Sequence, residues 1–245
     1  MVIKKIRALN FACGRPSRTG TVGTTQFNTF GYGINSKWVD QTTMTISQCI
    51  AVKILESIGS HLWGFKPNSM RHFVLEYGAL ESVVFFAKYM PKYERILRKW
   101  GPIRTHIVST ALSTLQGCEY CIHGHAYALQ LQYFKQTNTL FPLDESALAE
   151  LHALPDKEIL KHFSDALIEV DLAGEIDLLN KINVLREQAP SGPQSQEDEY
   201  LLHLMDMFSM LNSCGIKYQV VPDGAHDPIN KDKQLREHYA AVRSI

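Results

Sequence analysis

The chain has 245 residues, 45% hydrophobic and 20% charged, with Lys plus Arg equal to Asp plus Glu at 25 each. That composition supplies a sizeable core and excludes wholesale disorder. A formal charge of zero gives no overall pull toward nucleic acid or an anionic membrane, and no stretch approaches the roughly 20 apolar residues that cross a bilayer.

The charge is unevenly placed at the start. Lys4, Lys5, Arg7, Arg15, Arg18 and Lys37 all precede the first acidic residue, Asp40. The segment reads as a basic solvated arm or as a transit-like presequence; lacking a continuous apolar run, it does not read as a secretory signal. Residues 1–36 are rich in Gly, Thr, Ser and Asn, which implies an irregular arm, with short strands expected around Thr25–Tyr32.

From about Asp40 the apolar spacing becomes helical. Ile46, Ile50, Val52, Leu55 and Ile58 predict a first helix ending near Gly59. Pro67 breaks the chain, Asn68 or Ser69 caps a second helix running to Phe85, and Pro91 starts a third through Tyr93 and Ile96. After Gly101-Pro102 a helix is expected from Ile103 to Leu115, stopped by Gly117, and the next from Cys118 to about Tyr133. Further helices are expected after Asp144, after Pro155-Asp156, over Asp171–Leu185, over Tyr200–Leu211 and from Asn230 to Val242. Gln188–Glu199 has linker composition, and Pro222-Asp223-Gly224 signals a turn, which places His226-Asp227 in a surface loop. No βαβ alternation is present, so the expectation is an all-α helical bundle. Its parts are an arm with an extra helix (1–66), a helical core (67–218) and a tail with a short helix (219–245).

The five cysteines are Cys13, Cys49, Cys118, Cys121 and Cys214, an odd and scattered set that does not resemble a secreted disulfide framework. A reducing, cytoplasmic setting fits better. There, a close CxxC pair is more often catalytic or metal-binding than structural.

That pair lies in Gly117-Cys118-Glu119-Tyr120-Cys121-Ile122-His123-Gly124-His125, the one dense chemical cluster. On a helix, Cys118, Cys121 and His125 share a face, while His123 is turned about 200° from Cys121. Thiols in the first turn of a helix meet unpaired N–H groups that favour a thiolate, and a neighbouring imidazole can take the proton. A thiolate at Cys121 can attack a peroxide oxygen, and the resulting sulfenic acid lies one turn from Cys118. The same residues admit other readings. Haem attachment needs histidine where Ile122 stands. Zinc would need a fourth ligand from outside this helix. Two small buried cysteines beside a core histidine remain a further possibility. The other histidines (His61, His72, His152, His162 and His203) are scattered and read as surface or core residues.

The stretch Cys118-x-x-Cys121-x-x-x-His125, with its alcohol-rich preceding helix, resembles the signature of the AhpD-like alkylhydroperoxidase and carboxymuconolactone decarboxylase family over about residues 70–215. The resemblance implies an all-α homo-oligomer that reduces hydroperoxides with no metal or organic cofactor, drawing electrons from an external dithiol or redox protein. It implies Cys121 as peroxidatic thiol, Cys118 as resolving thiol and His125 as base or proton relay. Where the family has a relay glutamate, twelve residues before the first cysteine, this chain has His106, which reads either as an altered relay member or as a packed core residue. The histidine common before the second cysteine is Tyr120 here. The long flanking segments and His106 also fit a second function: a redox-sensing or interaction protein on the same scaffold.

Overall fold

The computed structural model describes residues 44–187 and 193–244. The basic arm and the strands expected around Thr25–Tyr32 lie outside the described residues. Within them the chain is all-α: α1 (Ile46–Trp63), α2 (Ser69–Tyr77), α3 (Ala79–Trp100), α4 (Pro102–Gln116), α5 (Glu119–Thr137), α6 (Glu145–Leu151), α7 (Asp156–Glu169), α8 (Ile176–Glu187), α9 (Gln196–Lys217) and α10 (Lys233–Arg243).

Most helix ends follow local chemistry. Thr45 caps α1 with Gln48 in a reciprocal capping box, Asp144 caps α6, and Gly117 ends α4 in a left-handed conformation. Four boundaries differ from the sequence reading. Helix α1 passes through Gly59, which is buried against Pro67, and ends at Gly64. The expected second helix divides at Gly78. Pro91 lies inside α3, where buried Phe85, Phe86 and Tyr89 before it and Tyr93 and Ile96 after it hold the helix across the missing N–H. Helix α9 begins at Gln196, inside the expected linker, because Ser195 accepts the Asp198 N–H and three acidic residues occupy the first turn.

Helix α4 is the axis of the bundle. Every residue from Thr105 to Leu115 is buried, so all its faces meet protein. Its apolar members Ile107, Val108, Ala111, Leu112 and Leu115 join the main core with Phe73, Phe163, Leu201 and Phe208. Three of its hydroxyls bond back along the helix: Thr105 to the Gly101 carbonyl (2.8 Å), Ser109 to Thr105 (2.8 Å) and Thr114 to Thr110 (2.9 Å). These small side chains let α5 approach closely, and α5 is in turn covered on its far side by the tail. Ala128, Leu131 and Phe134 of α5 pack against Ala225, Ile229 and Tyr239. Arg243 fastens α10 through Asp144 (2.8 Å) and Glu145 (2.7 Å). Asn230 and Lys231 bond the last carbonyls of α1, at Trp63 (2.9 Å) and His61 (2.8 Å).

Among the described residues, Ile46, Ile50, Ile54 and Ile58 of α1 are all exposed, one turn apart, and form an apolar stripe. Among the described residues, no helix is long and apolar enough to cross a membrane.

The aromatic knot around Phe73, whose ring lies 4.5–5.3 Å from Tyr77, Phe85 and Phe86, joins α2 to α3 at the core wall. Phe73→Ala is expected to lower the unfolding free energy by about 3–5 kcal/mol in urea titrations monitored by circular dichroism.

Candidate functional site

The tight Gly117 turn swings the chain from α4 into α5 and places Cys118 at the N-cap. Its Sγ accepts the Cys121 N–H at 3.4 Å, so the unpaired donors of the helix end are aimed at this sulfur. Cys118 is fully buried, packed on α9 at Gly215, where a Cβ would lie 2.5 Å from Sγ. Cys121, one turn on, lines a small cavity; both thiols are free.

The cavity has a volume of about 40 Å³, room for two or three water-sized molecules. Cys121, His125, Tyr120 and His226 supply its polar side, and Met70, Phe73, Met207, Phe208 and Leu211 are among its apolar walls. His123 points elsewhere, as its angle on the helix requires. It lines a larger open hollow of about 480 Å³ whose Arg243 and Glu145 already neutralise each other.

Burial governs the electrostatics. It pushes the Cys121 thiol well above its ordinary value, with the Cys118 hydrogen bond and the charges of Cys118, Cys214 and Asp223 acting the same way. The expectation of a thiolate favoured by the helix end therefore does not hold for Cys121: desolvation outweighs the helix terminus, whose N–H is given to Cys118. Cys214, a buried thiol of α9, is likewise pushed up to about 12 by burial first and then by Glu76 and Cys118. Burial, followed by the charges of His226 and His106, holds His125 well below its usual value. The resting site thus pairs a neutral thiol with a neutral imidazole.

His106, whose role was open, lies directly behind His125. Its Nδ1 is 3.4 Å from His125 Nδ1, and its Nε2 is 2.8 Å from Asp227 Oδ2. Asp227 also accepts from the Ile229 N–H (2.7 Å) and the Gln132 amide (2.9 Å). Burial pushes this carboxyl up, but the His106 hydrogen bond and charge, with those two donors, outweigh it and hold the value below normal. An ionised Asp227 only accepts, and with a neutral His106 this orders the protons in the row. His106 donates from Nε2 to Asp227, so its Nδ1 accepts. His125 donates from Nδ1 to His106, leaving Nε2 as its proton acceptor.

The placement of His226-Asp227 in a surface loop is corrected here: both residues are buried, His226 at 5% and Asp227 at 2% exposure. The His226 N–H donates to the Gly124 carbonyl (3.0 Å), and its ring occupies space that any Cβ at Gly124 would fill. That ring stacks on Trp63 (5.1 Å between centroids) and meets His125 edge-on (5.3 Å). Asp223 stands 3.3 Å from His226 Nε2 and accepts from the Asn68 N–H (2.8 Å) and the Tyr120 hydroxyl (3.0 Å). Tyr120 therefore buttresses Asp223. The sequence signal for all this was two aspartates and a histidine within five residues, 223–227, masked by the turn composition around them.

Comparisons of the chain with protein-family models, curated proteins and solved structures find no match. Among the described residues, no three His, Cys, Asp or Glu side chains gather as a metal-binding group.

Two outcomes follow from the Asp227–His106–His125 row. Asp227→Asn, if its amide donates to His106, reverses every donor and acceptor, so nitrogen-15 NMR should show the His125 proton moved from Nδ1 to Nε2. Folding also lowers the Asp227 value, so its contribution to stability is complete above the unfolded value of about 3.9 and is lost as pH falls through the lowered folded value. Urea midpoints should decline below about pH 4 in the wild type and less steeply in Asp227→Asn.

Proposed function

We propose that this chain is a thiol peroxidase and disulfide oxidoreductase of the AhpD-like type, working through Cys118 and Cys121. The observation that carries the reading is the Asp227–His106–His125 row, which presents a neutral imidazole nitrogen as base in the cavity that Cys121 lines. A buried thiol without resting ionisation needs such a base.

The chemistry runs in three steps. His125 Nε2 takes the Cys121 proton as the thiolate attacks the terminal oxygen of a hydroperoxide. The S–O bond forms, the O–O bond breaks, and the departing oxygen leaves as an alcohol or water after taking a proton. Cys118 then attacks the Cys121 sulfur. The S–S bond forms, the S–O bond breaks, and hydroxide leaves as water with the Cys118 proton. The N–H aimed at Cys118 Sγ supports negative charge on this attacking sulfur. In the last step an external dithiol, free or on a redox protein, exchanges with the disulfide at Cys121. The Cys118 thiolate leaves against the same N–H, the donor is oxidised, and both thiols return. No metal or organic cofactor enters these steps.

The volume of the cavity fits a peroxide group, and its apolar wall fits a compact organic substituent. A homo-oligomer in the cytoplasm belongs to the same proposal, and the exposed isoleucine stripe of α1 offers a face for self-association. The raised Cys121 value also supports the second reading, a redox sensor that oxidises once and slowly, without turnover.

Hydroperoxide consumption driven by dithiothreitol separates them. Wild-type chain should turn over many equivalents and Cys121→Ser should fall to background, while reduced Cys118→Ser freed of dithiothreitol should consume one equivalent and leave a trappable sulfenic acid. A Cys118–Cys121 disulfide formed without turnover, seen by mass spectrometry, would favour the sensor. Equal slow consumption by wild type and Cys121→Ser would sink the peroxidase reading.

A further inference from the structure

Reducing a hydroperoxide needs two proton transfers of opposite sense. The attacking thiol must lose a proton, and the departing oxygen must gain one before or as the O–O bond breaks. The Asp227–His106–His125 row ends in an acceptor and serves the first need. It does not serve the second until His125 has been protonated.

A second imidazole reaches the same cavity by a different route. His226 comes from the coil between α9 and α10, pinned by its N–H to the Gly124 carbonyl (3.0 Å). Gly124 lies three residues beyond Cys121 on α5 and next to His125. Its missing side chain leaves a notch on the helix, and the His226 ring lies across that notch, with Nδ1, Cε1 and Cγ at 2.3, 2.4 and 2.5 Å from where a Cβ would stand. The other ring nitrogen, Nε2, faces Asp223 at 3.3 Å. Asp223 is itself fixed by the Asn68 N–H and the Tyr120 hydroxyl, and the ring is clamped between Trp63 and the edge of His125. The two histidines therefore differ in what backs them. His125 is backed by another imidazole, whereas His226 is backed directly by a carboxylate, the partner that stabilises an imidazolium. In its imidazolium form His226 gives Nε2–H to Asp223, and Nδ1–H is the proton left to transfer.

We propose that His226 is the general acid of this centre, giving its Nδ1 proton to the oxygen that leaves the peroxide, with Asp223 as its positioning carboxylate; the assignment rests on the peroxidase reading above. As the Cys121 thiolate attacks, the O–O electron pair goes to the departing oxygen, which takes the His226 proton and leaves as an alcohol. His125 holds the proton from Cys121. His125 then releases a proton to solvent and His226 regains one, so the pair returns to its starting state and the cycle is proton-neutral.

The test exploits leaving-group chemistry. Full-length reduced chain is mixed in stopped flow with tert-butyl hydroperoxide, which leaves as an alkoxide needing a proton, or with peracetic acid, which leaves as stable acetate. Sulfenic acid formation at Cys121 is the readout. In His226→Gln the reaction with tert-butyl hydroperoxide should slow about 100-fold, and that with peracetic acid less than about threefold. Asp223→Asn keeps the ring, guards against a folding defect in the first variant, and should show the same selectivity at about tenfold. Equal slowing with both oxidants would reduce His226 to a structural role, and an unchanged rate would remove it altogether; either overturns the proposal while leaving the peroxidase reading intact. A wild type that reacts with neither oxidant refutes the peroxidase reading and the acid with it.

Discussion

A histidine sealed inside a helix that has no exposed face must find partners for both ring nitrogens, and the centre of this molecule is arranged around that requirement. His106 sits on α4, whose residues from Thr105 to Leu115 are all buried. Both partners of the ring come from outside the helix. One nitrogen is answered by His125 across the α4–α5 contact, the other by Asp227 from the tail. Leaving either unanswered inside the core would cost about 1–3 kcal/mol. With a neutral His106 the same two bonds place the proton on His125, so satisfying one buried ring also orders the next.

Desolvation decides the character of the thiols. Helix termini favour thiolates when they project toward water, yet here the Cys121 sulfur faces an apolar cavity and the terminal N–H goes to Cys118. The two sulfurs therefore differ: the one lining the cavity is held protonated, and the one behind it receives the helix-end N–H. A thiol held protonated is a weak nucleophile until a base takes its proton.

Much of this was legible in the residues. Helix-period spacing and caps located nearly every helix of the core, and the i, i+3, i+7 spacing of Cys118, Cys121 and His125 placed them on one face. At two of the expected breaks tertiary packing overrode the local signal: Gly59 stays helical against Pro67, and Pro91 is carried by the aromatic residues on either side. The greater gap was in the relay. His106 was recognised as standing where a carboxylate was expected, but the carboxylate that completes the row is 121 positions away. Short-range spacing cannot reach that far, and Pro222-Asp223-Gly224 carries the composition of any solvated turn. Gly124 was a quieter clue, a helix-interior glycine whose absent side chain marks a close approach.

The route of the chain through the site has a consequence for biosynthesis. The thiols and His125 belong to α5, in the middle of the sequence, whereas Asp223, His226 and Asp227 lie about a hundred positions later. During translation the two cysteines leave the ribosome long before the groups that direct their protons. A nascent or prematurely terminated chain would carry the CxxC pair without either aspartate–histidine unit. On the proposed peroxidase reading, competence for redox chemistry arrives only with the segment that closes over α5.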